Sequence, residues 1–166
     1  MRIFGFLIIV CLAVIAVQTE AFAQTKPDDT RALNGVSTGK VVWDISMANP
    51  ETLAINVSVV RETYDDLVRQ NVKPDMVLAI HGLPVRYVRQ DVSDLPFEAM
   101  PHIETINEVL DDLKGRPGVR IEVCSVANRL MGVDNNAIRD GLHVVGNTWV
   151  SLIGYQAQGY AVIPIQ

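Results

Sequence analysis

The sequence predicts an α/β fold built on a parallel sheet with helices packed on its faces. Two observations carry that prediction. From Lys40 onward, short β-branched or aliphatic runs alternate five times with stretches of helical periodicity, the pattern of strands joined by helical crossovers. In addition, DMVLAI (75 to 80) runs apolar without alternation, as in a strand buried on both faces.

The elements follow in order. KVVWDIS (40 to 46) is a β-branched strand, and Asn49 with Pro50 offers an N-cap and first-turn proline, both favoured at a helix start. Leu53, Val57, Val60, Tyr64 and Leu67 recur at helical spacing and place a helix over 50 to 70. DMVLAI is the second strand and ends at His81 and Gly82. After a longer connection, Ile103, Ile106, Leu110 and Leu113 define one face of a second helix that stops at Gly115. VRIEV (119 to 123) is the third strand, delivering Cys124. Residues 125 to 131 read as a helical turn or two ending at Gly132, DNNAIRD as a second short piece, and LHVV (142 to 145) as the fourth strand. Asn147 or Thr148 caps a helix through Gln158 whose residues are apolar almost all round, so it is expected to be buried. Gly159 closes it, and YAVIPI is the fifth strand.

The N-terminus sets how many thiols remain. Residues 1 to 23 hold Arg2, an apolar run from Ile3 to Val17 and the triplet Ala21-Phe22-Ala23, the build of a cleaved secretory signal cut after Ala23. The run is shorter than the roughly 18 to 20 residues of a membrane span, so no stable insertion is expected after cleavage and the mature chain is expected in the periplasm or secreted. A lipid anchor on Cys11 is disfavoured because the residue lies inside the apolar run behind Val10. Residues 24 to 39 are polar and aperiodic and read as a flexible leader, and 40 to 166 form one domain.

Cleavage leaves Cys124 as the lone cysteine, which excludes a disulfide scaffold. A formal charge of −5 gives no reason to expect nucleic acid. Without G-x-G-x-x-G, P-loop or G-x-S-x-G, dinucleotide, phosphate and serine-hydrolase chemistry lack their starting residues. His81, His102 and His143 are scattered without zinc-site pairing, so neither metal nor cofactor is expected.

His81 and Cys124 both stand at the carboxyl ends of predicted strands, the edge where parallel sheets bind ligands. Unpaired N–H groups at a helix start stabilise a thiolate, the nucleophilic form, and an imidazole nearby would take the thiol proton. Position alone also suits an inert, buried cysteine and a simple His-Gly turn. Both readings stand at this point.

The segments LKGRPGVRIEVCSVANRLMGV and GLHVVGNTWVSLIGYQAQGYAVI, together with His81-Gly82, resemble the DsrE/DsrF-like family, specifically its exported single-domain members. The most specific part is a strand-end Cys with Gly132 eight residues on, then Gln156, Gly159 and Tyr160 as Gln-x-x-Gly-Tyr. The resemblance spans Lys40 to Ile165. It implies a three-layer α/β/α fold, a five-stranded parallel sheet ordered 4-3-2-1-5, and homo-oligomers. It also implies that Cys124 matches the position that accepts sulfane sulfur as a persulfide in relay members such as TusD-like and DsrE proteins. That strand order would bring His81 beside Cys124. It would also leave one face to the helix near 148 to 158, and a partner subunit tends to cover such a face. The relay members are cytoplasmic and act with partner subunits, whereas this chain reads as exported. Of the three residues after the cysteine, Ser125 alone offers a hydroxyl.

Two functions follow as expectations. One is a sulfur (persulfide) or thiol carrier using Cys124, exchanging with a donor or acceptor protein rather than acting as a stand-alone catalyst. The alternative is an oligomeric binding or accessory protein in which Cys124 is structural.

Overall fold

A computed structural model describes residues 26–166; the signal segment expected at 1–23 lies outside the described residues. Strand β1 spans Thr38–Ile45, helix α1 Pro50–Arg69, β2 Lys73–Ile80, α2 Met100–Lys114, β3 Val119–Cys124, α3 Ser125–Leu130, β4 His143–Val145, α4 Thr148–Ala157 and β5 Ala161–Ile165. Single 3-10 turns at Leu83–Arg86, Phe97–Ala99 and Asn135–Ala137 occupy the longer connections. The sheet is wholly parallel and ordered β4-β3-β2-β1-β5, as expected.

β1 and β2 each begin two residues before their apolar runs, at Thr38 and Lys73. β1 and β2 pair from Thr38↔Lys73 onward, because the backbone ladder continues through polar residues that hydropathy does not mark as strand. Gly118 explains how β3 enters beside β2. Its φ is +80, and a Cβ there would sit 2.3 Å from the Pro74 carbonyl oxygen, so glycine alone fits that approach.

Alternation along the strands divides the sheet into two unequal faces. Val41, Trp43 and Ile45 of β1, Met76, Leu78 and Ile80 of β2, and Ile121 and Val123 of β3 form the main core with Leu53 and Val57 of α1 and Ile106 and Leu110 of α2. α1 starts as the sequence predicts: Asn49 Oδ1 accepts the Thr52 N–H at 2.9 Å, with Pro50 opening the helix. Residues preceding β1 lie along this helix, where Lys26 pairs with Glu62 and Asp66 and Arg69 donates to the Pro27 carbonyl. The opposite face holds a much smaller cluster, Val42, Val77 and Ala79, covered by Leu152 and Tyr155 of α4 with Tyr160 and Val162.

One expectation fails here. α4 is not buried: Thr148 is its only buried residue, while Trp149, Val150 and Ile153 are 65%, 64% and 68% exposed. An all-round apolar helix signals burial only when something covers its outer face, and among the described residues of a single chain nothing does. Among those residues no helix is long and apolar enough to cross a membrane.

Candidate functional site

Alternation with the core-facing residues of β3 turns Arg120, Glu122 and Cys124 toward the face under α4, and Cys124, at the strand's end, also packs into the main core cluster. By the same rule Val77 and Ala79 of β2, His81 just past its end, and Val42 and Asp44 of β1 share that face. The register pairs Ile80 with Val123, so His81 stands one rung further on, level with Cys124. Both side chains line one cavity of about 340 Å³ at the carboxyl edge of the sheet.

Cys124 ends β3 and caps α3, with extended backbone at φ −76 and ψ 114. It is 4% exposed, and its Sγ accepts the backbone N–H of Thr148, the first residue of α4, at 3.5 Å. Burial pushes the thiol pKa up, but the N–H groups of Thr148, Ala127 and Val126 outweigh it and hold the thiol below its ordinary value of 9.0. These donors stabilise the charged sulfur and not the neutral one.

His81 takes a different partner from the thiol. Its Nε2 lies 2.7 Å from Asp44 Oδ1, both side chains largely buried, and its ring meets Trp149 edge-on at 6.4 Å between centroids. Gly82 makes the sharp turn that follows, at φ +64 and ψ −147, a conformation open essentially to glycine. Ser125, the one hydroxyl the sequence offers directly after the cysteine, holds the neighbouring loop in place, its Oγ accepting from Asn135 Nδ2 at 3.0 Å. The hydroxyl beside the thiol belongs to Thr148. It favours the thiolate by proximity, yet has no partner at normal hydrogen-bond geometry among the described residues.

Sequence reasoning missed Asp44, Thr148 and Trp149 as site residues. Asp44 had a readable signal: a carboxylate in an otherwise β-branched strand, two residues before the end of KVVWDIS and on the face opposite Trp43. Thr148 and Trp149 had none, because α4 reaches Cys124 only through the fold.

A second polar group lies further toward the amino ends of the strands. Tyr155 O–H donates to Glu122 Oε1 at 2.7 Å, and Tyr160 O–H donates to Asp75 Oδ2 at 2.7 Å while accepting from Arg120 at 2.9 Å. Burial opposes the Arg120 charge, but Asp75 and the tyrosines raise its pKa further above the ordinary value. This accounts for the Gly-Tyr of Gln-x-x-Gly-Tyr: Gly159, at φ +86, lets the chain leave α4, and Tyr160 then anchors it to β2 and β3. A groove of about 700 Å³ between α1 and α2 includes His102 but lies away from the thiol. Among the described residues no cluster of metal-ligating side chains is present.

No family model matches the chain. It is 24% identical over 125 residues to an uncharacterized protein of Aquifex aeolicus (strain VF5), a likeness covering 75% of this chain and 55% of the relative, so the chain spans about half the length of the curated relative it matches. Among solved structures it is similar to MTH1491, a protein of unknown function from Methanobacterium thermoautotrophicum. The TM-score is 0.61 at 22% identity, over 76% of this chain and 99% of that one. It is also similar to the ychN protein of E. coli, with a TM-score of 0.50 at 14% identity over 77% and 100%. With the strand order, these neighbours support a DsrE-like fold for the chain.

Proposed function

We propose that the protein is a sulfur carrier whose Cys124 accepts sulfane sulfur as a persulfide. The observation that carries the reading is the seat of Cys124 Sγ at the strand edge, on the Thr148 N–H and inside a cavity shared with His81. A DsrE-like fold is consistent with it. In the transfer, the Cys124 thiolate attacks the outer sulfur of a donor persulfide. The Sγ–S bond forms as the donor's S–S bond breaks, and the donor leaves as a thiolate. Passing the sulfur to an acceptor thiol reverses the step, so no oxidant is needed.

The test is incubation of the protein with a sulfane donor followed by intact and peptide mass spectrometry. One added sulfur on the peptide containing Cys124, reversed by a reductant, supports the carrier. A thiol that neither gains sulfur nor alkylates until denaturation ends it. The burial of Cys124 at 4% exposure favours a second reading, an oligomeric binding protein with a packed cysteine, and the same experiment separates the two. We further propose that the signal segment is removed after Ala23 and the mature chain works outside the cytoplasm, which N-terminal sequencing of the exported form tests.

A further inference from the structure

The cavity at Cys124 restricts which donors reach the thiol, an inference that rests on the sulfur-acceptor reading above. At about 340 Å³ it is at the small end of small-molecule sites. Val126, Ala127, Leu130, Met131 and Trp149 supply most of its wall, and among the described residues no Lys, Arg, Asp or Glu lines it. His81 brings no surplus positive charge, because a protonated imidazole would already be matched by Asp44 at 2.7 Å. An anion entering would shed hydration without meeting a cationic side chain, and the backbone N–H groups there are already turned on the Cys124 thiolate.

A second observation points to an occupant. Thr148 is fully buried and lines the cavity, and its Oγ1, close enough to Cys124 to favour the thiolate, has no partner at normal hydrogen-bond geometry among the described residues. Buried hydroxyls are nearly always satisfied, since leaving one unpaired is destabilising. A ligand atom beside Cys124 would supply the missing partner.

We infer that the cavity admits small, uncharged sulfane donors with an apolar tail, that Thr148 Oγ1 hydrogen bonds to the sulfur under transfer, and that anionic donors such as thiosulfate are excluded. The reacting species is a neutral hydrodisulfide, R–S–S–H. Cys124 thiolate attacks its outer sulfur, the Sγ–S bond forms, and R–S⁻ leaves with the electron pair of the broken S–S bond. The proton stays on the transferred sulfur as Cys124–S–S–H. Electrons balance within the two reactants.

Iodoacetamide and iodoacetate, nearly equal in size and differing in charge, test the exclusion without any sulfur chemistry. The ratio of their rates at Cys124 should exceed that at a cysteine in an unstructured peptide by about tenfold, equivalent to ~1.4 kcal/mol. Leu130→Arg places a cation at the rim, at a position 66% exposed, and should bring the ratio back toward the peptide value. Sulfur loading is then followed by mass spectrometry with benzyl hydrodisulfide and with thiosulfate, each normalised to the peptide. The hydrodisulfide should load faster, and Thr148→Val, which also removes the hydroxyl that favours the thiolate, should slow that loading several-fold more than it slows iodoacetamide alkylation. A native ratio equal to the peptide's, a ratio indifferent to Leu130→Arg, or thiosulfate loading as fast as the hydrodisulfide overturns the inference. Charge exclusion with no sulfur taken from either donor instead sinks the sulfur-acceptor reading, and the donor assignment with it.

Discussion

The backbone N–H of Thr148 reaches Cys124 Sγ at 3.5 Å across 24 residues of chain, so the start of α4 is in effect part of the cysteine's environment. Its consequence is a thiol held below 9.0 despite burial. Alkylation of the native protein should therefore reach half its maximal rate at a pH below 9.0. Thr148→Pro deletes the N–H where proline is tolerated, at a first helical position behind an extended Asn147 (φ −157, ψ 117), and should move the midpoint up. The linkage has a definite sign. A depressed folded pKa adds stability that is fully present above the unfolded value and is lost as pH falls through the folded one. A midpoint that Thr148→Pro leaves in place would remove α4 from the account of the thiol.

The Asp44–His81 pair makes a separate prediction. An ionised carboxylate only accepts hydrogen bonds, so the proton facing Asp44 is on Nε2, and in the neutral ring Nδ1 is left as the nitrogen able to take another. If the imidazole assists Cys124, His81→Ala should slow alkylation near neutral pH several-fold. Asp44→Ala should slow it less, because the ring remains but loses its orientation. An unchanged pH–rate profile in His81→Ala would assign the histidine to packing against Asp44 and Trp149 alone.

How far the sequence could reach is clear from these residues. Cys124 and His81 were visible because strand ends are marked by local pattern: apolar runs stop and a helix signal or glycine follows. Their placement on one face also follows from alternation once the strand order is known. The partners of each were not visible. Asp44 joins His81 from 37 residues away and Thr148 joins Cys124 from 24, and such contacts are set by crossover packing. The exposure of α4 escaped for a related reason: periodicity reports that a face is apolar and leaves open what covers it.

Tyr155 and Glu122 tie α4 to the sheet, and removing one partner should be worse than removing both. Glu122 is 7% exposed, its Oε1 accepts the Tyr155 O–H, and its Oε2 has no partner among the described residues. Tyr155→Phe strips the carboxylate of that donor and is expected to cost about 1–3 kcal/mol in urea unfolding. Adding Glu122→Leu should recover much of the loss, since the apolar pair leaves no buried carboxylate unpaired and Arg120 keeps Asp75 and Tyr160. Failure of the double variant to recover would mean that the tyrosine acts through packing with Tyr160, whose ring lies 5.0 Å away.

The outer face of α4 supplies the last prediction. Trp149, Val150 and Ile153 are each about two-thirds exposed, and Ile163 on β5 is 41% exposed, a grouping of large apolar side chains that water solvates poorly. A second copy of the chain covering this face would bury it, and Trp149 is at once on that face and in the wall of the Cys124 cavity. Assembly and access to the thiol should then be linked. The protein is expected to sediment as an oligomer, and Ile153→Glu, which places a charge on the face without touching the cavity lining, should shift it to monomer. The same variant should alkylate faster at Cys124, because an uncovered Trp149 rim opens more readily. Sedimentation of the unaltered protein as a monomer at all concentrations would discard the shared interface; dissociation of Ile153→Glu with no change in alkylation rate would keep the interface and break its link to the site.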